Sequence, residues 1–492
     1  MIVGRAWAGK RYAVLGLARS GAATVRALLA AGASVTAWDS DEARRDQFLP
    51  GTGRGTARSM VEGAAQPLPP SAAPLHQPAA GPPPLAGEDL VLADPLAIDL
   101  AGFDAIVVSP GVPLNRHPIA ARAAEAGVPV IGDIELFAQA RAGLPAHTVV
   151  GITGTNGKST VTALVDHILQ AAGVPTMMGG NIGLPILAQE PLPRGGVYVL
   201  ELSSFQIDLT RSLDCDVAVL TNVTPDHLDR YNGFDAYAAS KARLFAMQGP
   251  GDVAVIAIDD ERTRALAEQL AAPPQPALAM GGFLGVDLPM PLPASGPTVV
   301  TVSAAHVADQ SRWPSLQGPH NAQNVAVARA ILRALGLDDS EIERGLAGYP
   351  GLPHRMERAG TVGGVLFVND SKATNPTSAA PALAAYPRVH WILGGRRKTD
   401  ELDACAPHYG HVAHAYTIGE ATDLYADLVE RVSIPATRSQ TLDAAVAAAH
   451  AAAKPGETVL FSPACASFDQ FSDYEARGDA FKQLVSDLGG KP

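Results

Sequence analysis

The sequence predicts an α/β protein of three domains, each organised around a mostly parallel sheet. Three observations carry this expectation. The chain has 492 residues, and at roughly 150 residues per domain a single hydrophobic core would be too large. Short apolar runs alternate with amphipathic helical stretches along its whole length, the pattern of βα units packed into sheets covered on both faces. Hydrophobic residues make up 47% and charged residues 17%, a balance that buries a core rather than leaving the chain disordered.

In the first segment, residues 12–15 form an apolar run that enters the turn Gly16-Leu17-Ala18-Arg19-Ser20-Gly21. A helix then extends to Ala31, Gly32 stops it, and residues 34–38 give a second strand. Asp39 follows at the place where a dinucleotide-binding fold puts the acid that bonds a ribose hydroxyl. Ala18 stands in for the middle glycine of that fingerprint, so a tight turn that needs small residues accounts for the run about as well. Residues 51–100 contain no Phe, Trp or Tyr, and 8 of the 18 positions from Pro67 to Pro84 are proline. Such a stretch predicts a surface excursion with no core of its own. Order resumes with a strand at 104–108 that stops at Ser109-Pro110-Gly111, and a further βα unit leads to a strand at 129–131.

The second domain, expected over 144–351, opens with a buried-strand pattern at 148–152, a polar glycine-rich loop at 153–159 and a helix at 160–170. Strands follow at 197–200, 217–220, 253–258 and 298–302, the last after a proline-rich loop at 273–297. Helices at 321–335 and 339–346 lead to Gly351-Leu352-Pro353, read as a hinge. The third domain, 352–492, repeats the alternation with strands at 365–368, 389–393, 416–418 and 458–461. Polar residues cluster after its strand ends, where open α/β sheets bind ligands.

Charge and cysteine usage exclude several functions. Lys and Arg number 37 against 49 Asp and Glu, and the net charge of -12 repels nucleic-acid backbones and anionic lipid. No nucleic-acid partner is expected. The three cysteines, Cys215, Cys405 and Cys465, lie far apart without CxxC spacing, which suggests neither a disulfide framework nor a zinc site and fits a reducing cytoplasm. No apolar run approaches the ~18 residues of a membrane span, so no membrane insertion is expected.

The strongest chemical signal is Gly154-Thr155-Asn156-Gly157-Lys158-Ser159-Thr160 between a strand and a helix. Glycines let backbone amides approach phosphate oxygens, the helix N-terminus favours an anion, Lys158 offsets phosphate charge, and a Ser159 or Thr160 hydroxyl can reach Mg²⁺. The strict spacing fails because Ile152 holds the first glycine position, yet the context favours nucleoside triphosphate binding. Glu201 ends a strand of the same sheet, where a phosphate-bound Mg²⁺ needs an oxygen ligand. His227 sits in the loop after the next strand and could ligate a cation, hold a proton or simply bond backbone. Lys241 reads, from its helical position alone, as a solvated lysine. Asp370, Lys372 and Lys398 form a polar set suited to anionic groups. His320-Asn321 could cap a helix, but Asn324 one turn on asks for more than a cap.

Taken together these motifs closely resemble the Mur ligase family. They include the phosphate loop, Gly180-Asn181-Ile182-Gly183, Leu200-Glu201-Leu202-Ser203-Ser204, the segment from Asn222 to Tyr231, Gly351-Leu352-Pro353-His354-Arg355, Asn369-Asp370-Ser371-Lys372-Ala373-Thr374-Asn375 and Ser462-Pro463-Ala464-Cys465-Ala466-Ser467. They span nearly the whole chain in order. The resemblance implies a Rossmann-like UDP-binding domain over 1–143, a central P-loop-type ATPase domain and a Rossmann-like amino-acid-binding domain. It implies a cytoplasmic, monomeric ligase that adds D-glutamate to UDP-N-acetylmuramoyl-L-alanine with ATP, through an acyl phosphate. By motif position, Gly154 to Thr160, Asn321, Asn324 and Arg355 would bind ATP. Ser20, Asp39, Ser40, Ser109, Gly111 and Asn181 would hold the UDP substrate, and Lys372, Thr374, Lys398, Ser467, Phe468 and Tyr474 the D-glutamate. Two Mg²⁺ sites would draw on Ser159, Glu201, His227 and Lys241, the last as a CO₂-derived carbamate, which displaces the solvated reading. Lys158, His227, Lys241 and Lys372 are then the catalytic set. Asp41, Arg396 and Tyr474 depart from the usual residues at the uridine, nucleotide and amino-acid positions. Rival readings are a sister Mur ligase or a folylpolyglutamate synthase-like ligase, an NAD-dependent oxidoreductase resting on Gly16 to Asp39, and a non-catalytic ATP-binding regulator.

Overall fold

The computed structural model describes residues 1–48, 89–226, 230–272 and 296–490. Three sheets organise them. The first has strands β1 (Arg11–Leu15), β2 (Ser34–Trp38), β3 (Leu90–Leu92), β4 (Ala105–Val108) and β5 (Val130–Ile131), in the order β3-β2-β1-β4-β5. Every pairing in it is parallel. Its helices are α1 (Arg19–Ala30), α2 (Glu42–Asp46), α3 (Ile119–Ala126) and α4 (Asp133–Ala140). The strand β3 corrects the expectation for 51–100, since its edge pairing to β2 extends the sheet and Leu100 just after it is buried. Leu90-Val91-Leu92 is a short β-branched and aliphatic run that the neighbouring prolines mask in the sequence. Residues 51–88 of that stretch lie outside the described residues.

The second sheet comprises β6 (His147–Thr153), β7 (Thr176–Gly180), β8 (Gly196–Glu201), β9 (Val217–Leu220), β10 (Val253–Ala257) and β11 (Thr298–Val302), ordered β11-β10-β9-β6-β8-β7 and parallel throughout. Around it pack α5 (Lys158–Ala171), α6 (Ser204–Asp208), α7 (Phe234–Ala246), α8 (Glu261–Ala271), α9 (Pro319–Ala334) and α10 (Asp339–Gly348). The central strands β6, β8 and β9 are almost wholly buried, as a strand covered on both faces must be. The proline-rich 273–295 lies outside the described residues.

The third sheet holds β12 (Glu357–Val362), β13 (Val365–Asn369), β14 (Val389–Gly394), β15 (Val412–Ile418), β16 (Ala436–Gln440) and β17 (Thr458–Phe461), ordered β12-β13-β17-β14-β15-β16. Only β12 runs antiparallel, as the first arm of a hairpin with β13. Helices α11 (Pro376–Ala384), α12 (Thr422–Arg431), α13 (Leu442–Ala452) and α14 (Tyr474–Asp487) cover it.

One hydrophobic core is continuous across the first two sheets, running from Trp7, Val14 and Phe137 to Tyr198, Leu200 and Phe245. The Phe137 and Tyr198 rings meet edge to face at 5.1 Å. Buried Glu135 of α4 reinforces this seam by accepting from Arg211 N at 2.7 Å, Ser212 N at 3.0 Å and Ser212 Oγ at 2.8 Å. The third sheet has its own two cores, one on each face. The chain is thus joined tightly at one junction and meets its last third mainly across a cleft.

Candidate active site

The loop after β6 is held in one tight conformation. Gly154 has φ +144° and Gly157 has φ +84°, and a Cβ at either would overlap the Thr221 hydroxyl or the Asn324 side-chain oxygen. Only glycine fits both positions. Asn222 fixes the loop from outside, its Oδ1 accepting from Asn156 N at 2.8 Å and its Nδ2 donating to Asn156 O at 3.0 Å. The Thr155 hydroxyl donates to Thr224 O at 3.1 Å and accepts from Thr224 N at 3.0 Å. Lys158 opens α5 and folds its ammonium over the loop carbonyls of Gly154 at 3.0 Å and Thr155 at 2.8 Å. Burial holds its pKa below the usual lysine value, with Arg355 adding to the effect against Glu201 and Asp226. Ser159 and Thr160 follow, half-buried, in the first turn of α5.

Glu201 ends β8 next to this loop and is 3% exposed. Its Oε1 accepts from Asn181 Nδ2 at 2.9 Å, whereas its Oε2 is sealed from solvent and has no hydrogen-bond partner among the described residues. A buried carboxylate oxygen without a donor is costly unless a cation meets it.

The structure overturns the solvated reading of Lys241. Its side chain is 1% exposed, donates to Gly154 O at 2.8 Å and lies 4.5 Å from the Tyr237 ring centroid. Burial first, and the nearby Lys158 charge second, hold its pKa well below the usual lysine value. Tyr237 sits one turn earlier on α7, and its hydroxyl is 3.2 Å from Thr155 Oγ1, so α7 is tied to the phosphate loop at two points. Helical spacing from Lys241 was the signal that could have found Tyr237. His227 lies outside the described residues.

A cleft runs from Asn156, Gly157 and Thr160 past Asn321 and Asn324 to Tyr349, Arg355 and Asp370. The helix α9 is capped by Gly318 without a side-chain bond, so the asparagines do not serve as caps. Asn324 Nδ2 donates to Asn321 Oδ1 at 3.0 Å, and Asn321 Nδ2 to Gln317 O at 3.0 Å. Arg355 reaches across from the third domain, its Nη2 donating to Ser159 Oγ at 3.1 Å. His354 and Met356 on either side of it have φ +62° and +48°, so the backbone that presents Arg355 is strained. Asp370 is buried and its pKa is pushed up to about 7 by that burial.

On the third sheet, the Lys372 ammonium sits 3.6 Å from the Tyr474 ring centroid, and burial, aided by Arg355, lowers its pKa to about 8. Lys398 Nζ donates to Thr374 Oγ1 at 3.4 Å. Ser467 is buried, while Phe468 beside it is 63% exposed. The turn Gly395-Arg396 is zipped to the following loop, Arg396 N donating to Ala466 O and Ala466 N to Arg396 O, both at 2.9 Å, while the Arg396 side chain pairs with Glu420. Arg477 is a residue that sequence reasoning missed. It is 1% exposed and ties the loops after β13 and β17 together by donating to Ser371 O at 2.9 Å, Cys465 O at 3.0 Å and Ala466 O at 3.1 Å. The available signal was an arginine four residues before Phe481 and eight before Val485 on the apolar face of α14.

The first sheet presents its own polar rim. Asp39 Oδ2 accepts from Leu17 N at 2.7 Å and its Oδ1 from Asp41 N at 2.9 Å. Its pKa is lowered by these bonds and by Arg44, against burial, which is the largest influence and acts the other way. Ser109 Oγ donates to Gly16 O at 2.8 Å. Ser20, Ser40 and Gly111 lie at the same strand ends, and Ser40 and Gly111 are exposed. Asp41 caps α2 and pairs with Arg44, while the Arg45 guanidinium stacks 4.3 Å over the Trp38 ring. Asn181, which binds Glu201, joins the central site instead of this rim.

Among the described residues there is no group of three or more His, Cys, Asp or Glu side chains arranged to hold a metal, and no helix is long and apolar enough to cross a membrane. A family model described as "Mur ligase middle domain" matches residues 152–332, and one described as "Mur ligase, glutamate ligase domain" matches 354–465. The chain is 57% identical to a UDP-N-acetylmuramoylalanine--D-glutamate ligase of Novosphingobium aromaticivorans, across 99% of this chain and 97% of that one. It is 55% identical to the protein of the same name in Sphingopyxis alaskensis, across 99% and 100%. Among solved structures, UDP-N-acetylmuramate-alanine ligase MurC from Thermotoga maritima superposes with TM-score 0.54 at 15% identity, covering 97% of this chain and 99% of its own. MurF from Acinetobacter baumannii gives 0.51 at 17%, covering 79% and 91%. These two likenesses concern the fold.

Proposed function

The chain belongs to the Mur ligase family, and from that premise we propose that it joins D-glutamate to UDP-N-acetylmuramoyl-L-alanine using ATP, a step of peptidoglycan synthesis. The observation that carries this reading is full-length similarity at 50 to 57% identity to proteins named UDP-N-acetylmuramoylalanine--D-glutamate ligase. The phosphate loop facing a buried lysine and a partnerless carboxylate oxygen supports it independently.

The γ-phosphoryl group of ATP passes to the alanine carboxylate, breaking the β,γ bond and forming an acyl phosphate. The neutral amine of D-glutamate then attacks the acyl carbon, phosphate leaves with the former carboxylate oxygen, and the amine gives up a proton. Lys158 and the amides of Gly154 to Thr160 hold the triphosphate, and Arg355 meets it from the opposite wall. Asn321 and Asn324 line the nucleotide cleft. Asn181 orients the muramoyl-alanine end beside Glu201, and Ser20, Asp39, Ser40, Ser109 and Gly111 receive the UDP. Lys372, Thr374, Lys398, Ser467, Phe468 and Tyr474 receive D-glutamate and the forming acyl phosphate.

Glu201 Oε2, buried and without a donor among the described residues, fits a Mg²⁺ ion. Ser159 and Glu201 would hold one ion and His227 with a carbamylated Lys241 a second, and the ions would supply neutralisation of phosphate charge. The buried, charge-depressed amine of Lys241 suits carbamate formation, because only the unprotonated amine adds CO₂, releasing one proton. The chain works as a cytoplasmic monomer on this reading. Phosphate release from ATP plus the muramoyl-alanine nucleotide, measured with D-glutamate, L-alanine or a diamino acid in turn, tests it. Release that requires an acceptor other than D-glutamate would point to a sister ligase.

A further inference from the structure

The turn after β4, which carries Ser109 and Gly111, belongs to the first domain, and Lys241 belongs to the second. Arg230 of the second domain joins the two. Its Nη2 donates to Val112 O at 3.0 Å. Val112 closes the turn, its N–H donating to Ser109 O at 3.0 Å, while its carbonyl also accepts from Leu114 N at 2.9 Å. The bond from Arg230 therefore holds the turn at its last residue.

The other end of the contact is an aromatic stack. The Arg230 guanidinium lies 4.2 Å from the centroid of the Phe205 ring, on α6 and four residues beyond Glu201. Phe205 stacks on Tyr231 at 5.8 Å with the rings 6° apart, and Tyr231 meets Tyr237 edge to face at 5.4 Å. The Tyr231 hydroxyl donates to Asp208 Oδ2 at 2.9 Å, which locks the stack onto the end of α6. Tyr237 in turn touches Lys241 and Thr155, so the stack runs without a gap from the turn to the phosphate loop.

Only arginine lies flat on a ring and donates in its own plane at once. The arrangement has a cost, because Nε of Arg230 is sealed from solvent and has no hydrogen-bond partner among the described residues. A donor that forfeits its hydration makes a poor device for stability alone. Methionine, of similar reach, would pack on Phe205 without that cost. An arginine here answers to placement.

We propose that Arg230 is a positioning residue: by pinning the turn at 109–112 to the aromatic stack beside Lys241, it sets where the acceptor carboxylate of the sugar nucleotide stands relative to the terminal phosphate of ATP. This rests on the ligase reading above, and it adds the side chain that fixes the spacing between the two ends of the substrate site.

The test uses the full chain with Arg230→Met and Arg230→Lys. Turnover is read as D-glutamate-dependent phosphate release at saturating ATP and UDP-N-acetylmuramoyl-L-alanine, beside equilibrium binding of ATP and of UDP and the urea midpoint. Arg230→Met should lower kcat by roughly 10- to 100-fold, the effect of misplacing reacting groups by about 1 Å. ATP and UDP should each bind as to the unaltered chain, and the urea midpoint should be no lower. Arg230→Lys, which can keep the bond to Val112 O but not the flat stack, should fall between the two. An unchanged kcat in Arg230→Met would overturn the proposal. So would weaker binding of either nucleotide, or a lowered urea midpoint in both variants, since the residue would then act on a ligand or on the fold itself. Failure of the unaltered chain to release phosphate with any acceptor would instead bring down the ligase reading.

Discussion

On the proposed reading Lys241 carries the sharpest demand on a single residue, since an amine is useful as a carbamate only if it is neutral when CO₂ arrives. Free lysine, with a pKa of ~10.4, is almost wholly protonated at neutral pH. Burial and the Lys158 charge shift that balance toward the amine, and the Tyr237 ring and Gly154 carbonyl hold the nitrogen at the edge of the phosphate loop. Lys241→Ala should therefore lose about 100-fold or more in turnover, and short carboxylates such as acetate should restore part of it. Full activity in the variant would remove any role for this side chain. Lys158→Ala should abolish ATP hydrolysis, and retained hydrolysis would exclude the phosphate-loop assignment. Lys372 makes a pH prediction with a definite sign. Its pKa of about 8 leaves it cationic below that value and neutral above it, and the cation is the form that attracts a carboxylate or acyl phosphate. The KM for D-glutamate should climb as pH rises through 8, and Lys372→Arg, whose guanidinium keeps its charge, should flatten that climb. A KM profile identical in the two proteins would assign the dependence elsewhere.

At the scale of elements, the junction between the first two sheets is reinforced by a buried carboxylate at the start of α4. Glu135 accepts three hydrogen bonds from the loop after α6, and removing it would leave two backbone N–H groups and a hydroxyl at the seam without partners. Glu135→Ala should cost about 3 kcal/mol of stability, read as a lower urea midpoint, from the loss of charge-assisted bonds. An unchanged midpoint would mean that the apolar seam of Phe137 and Tyr198 holds the junction unaided. This junction also shows what sequence reading reaches. The buried strands β6, β8, β9, β14 and β17 were legible because short continuous Val, Ile and Leu runs bounded by polar loops are suited to a strand covered on both faces. The strands β7, β12 and β16 escaped, since Thr-Met-Met-Gly-Gly, Glu-Arg-Ala-Gly-Thr-Val and Ala-Thr-Arg-Ser-Gln lie at sheet edges and carry little apolar periodicity. The strand-turn-helix unit at 148–170 was legible for the opposite reason, because glycines followed by lysine and serine mark a tight turn that opens a helix. Arg477 was not, since a guanidinium on an apolar helix face reads as packing until its partners are known.

At the scale of the whole molecule, the cleft proposed to hold the nucleotide lies between the central and last thirds of the chain. The first two sheets share a core, whereas the third keeps its cores to itself. Contact between the central and last thirds near the cleft includes the bond from Arg355 to Ser159, and the cleft is lined from both sides, by Gly157 and Asn324 on one and by Met356, Asp370, Ser378 and Ala382 on the other. A ligand that fills it would tie two separately built bodies together, and anything that binds only the assembled cleft stabilises that assembly by mass action. Hydrogen–deuterium exchange of the full chain with and without Mg²⁺ and ATP checks this. Protection should increase at 154–160 and 321–324 and, on the far side, at 354–357 and 376–382. The amides of β1 and β2 should exchange at unchanged rates, because the shared core already protects them. Protection confined to the central third would show that the nucleotide engages one wall only, and that Arg355 reaches Ser159 without serving the ligand.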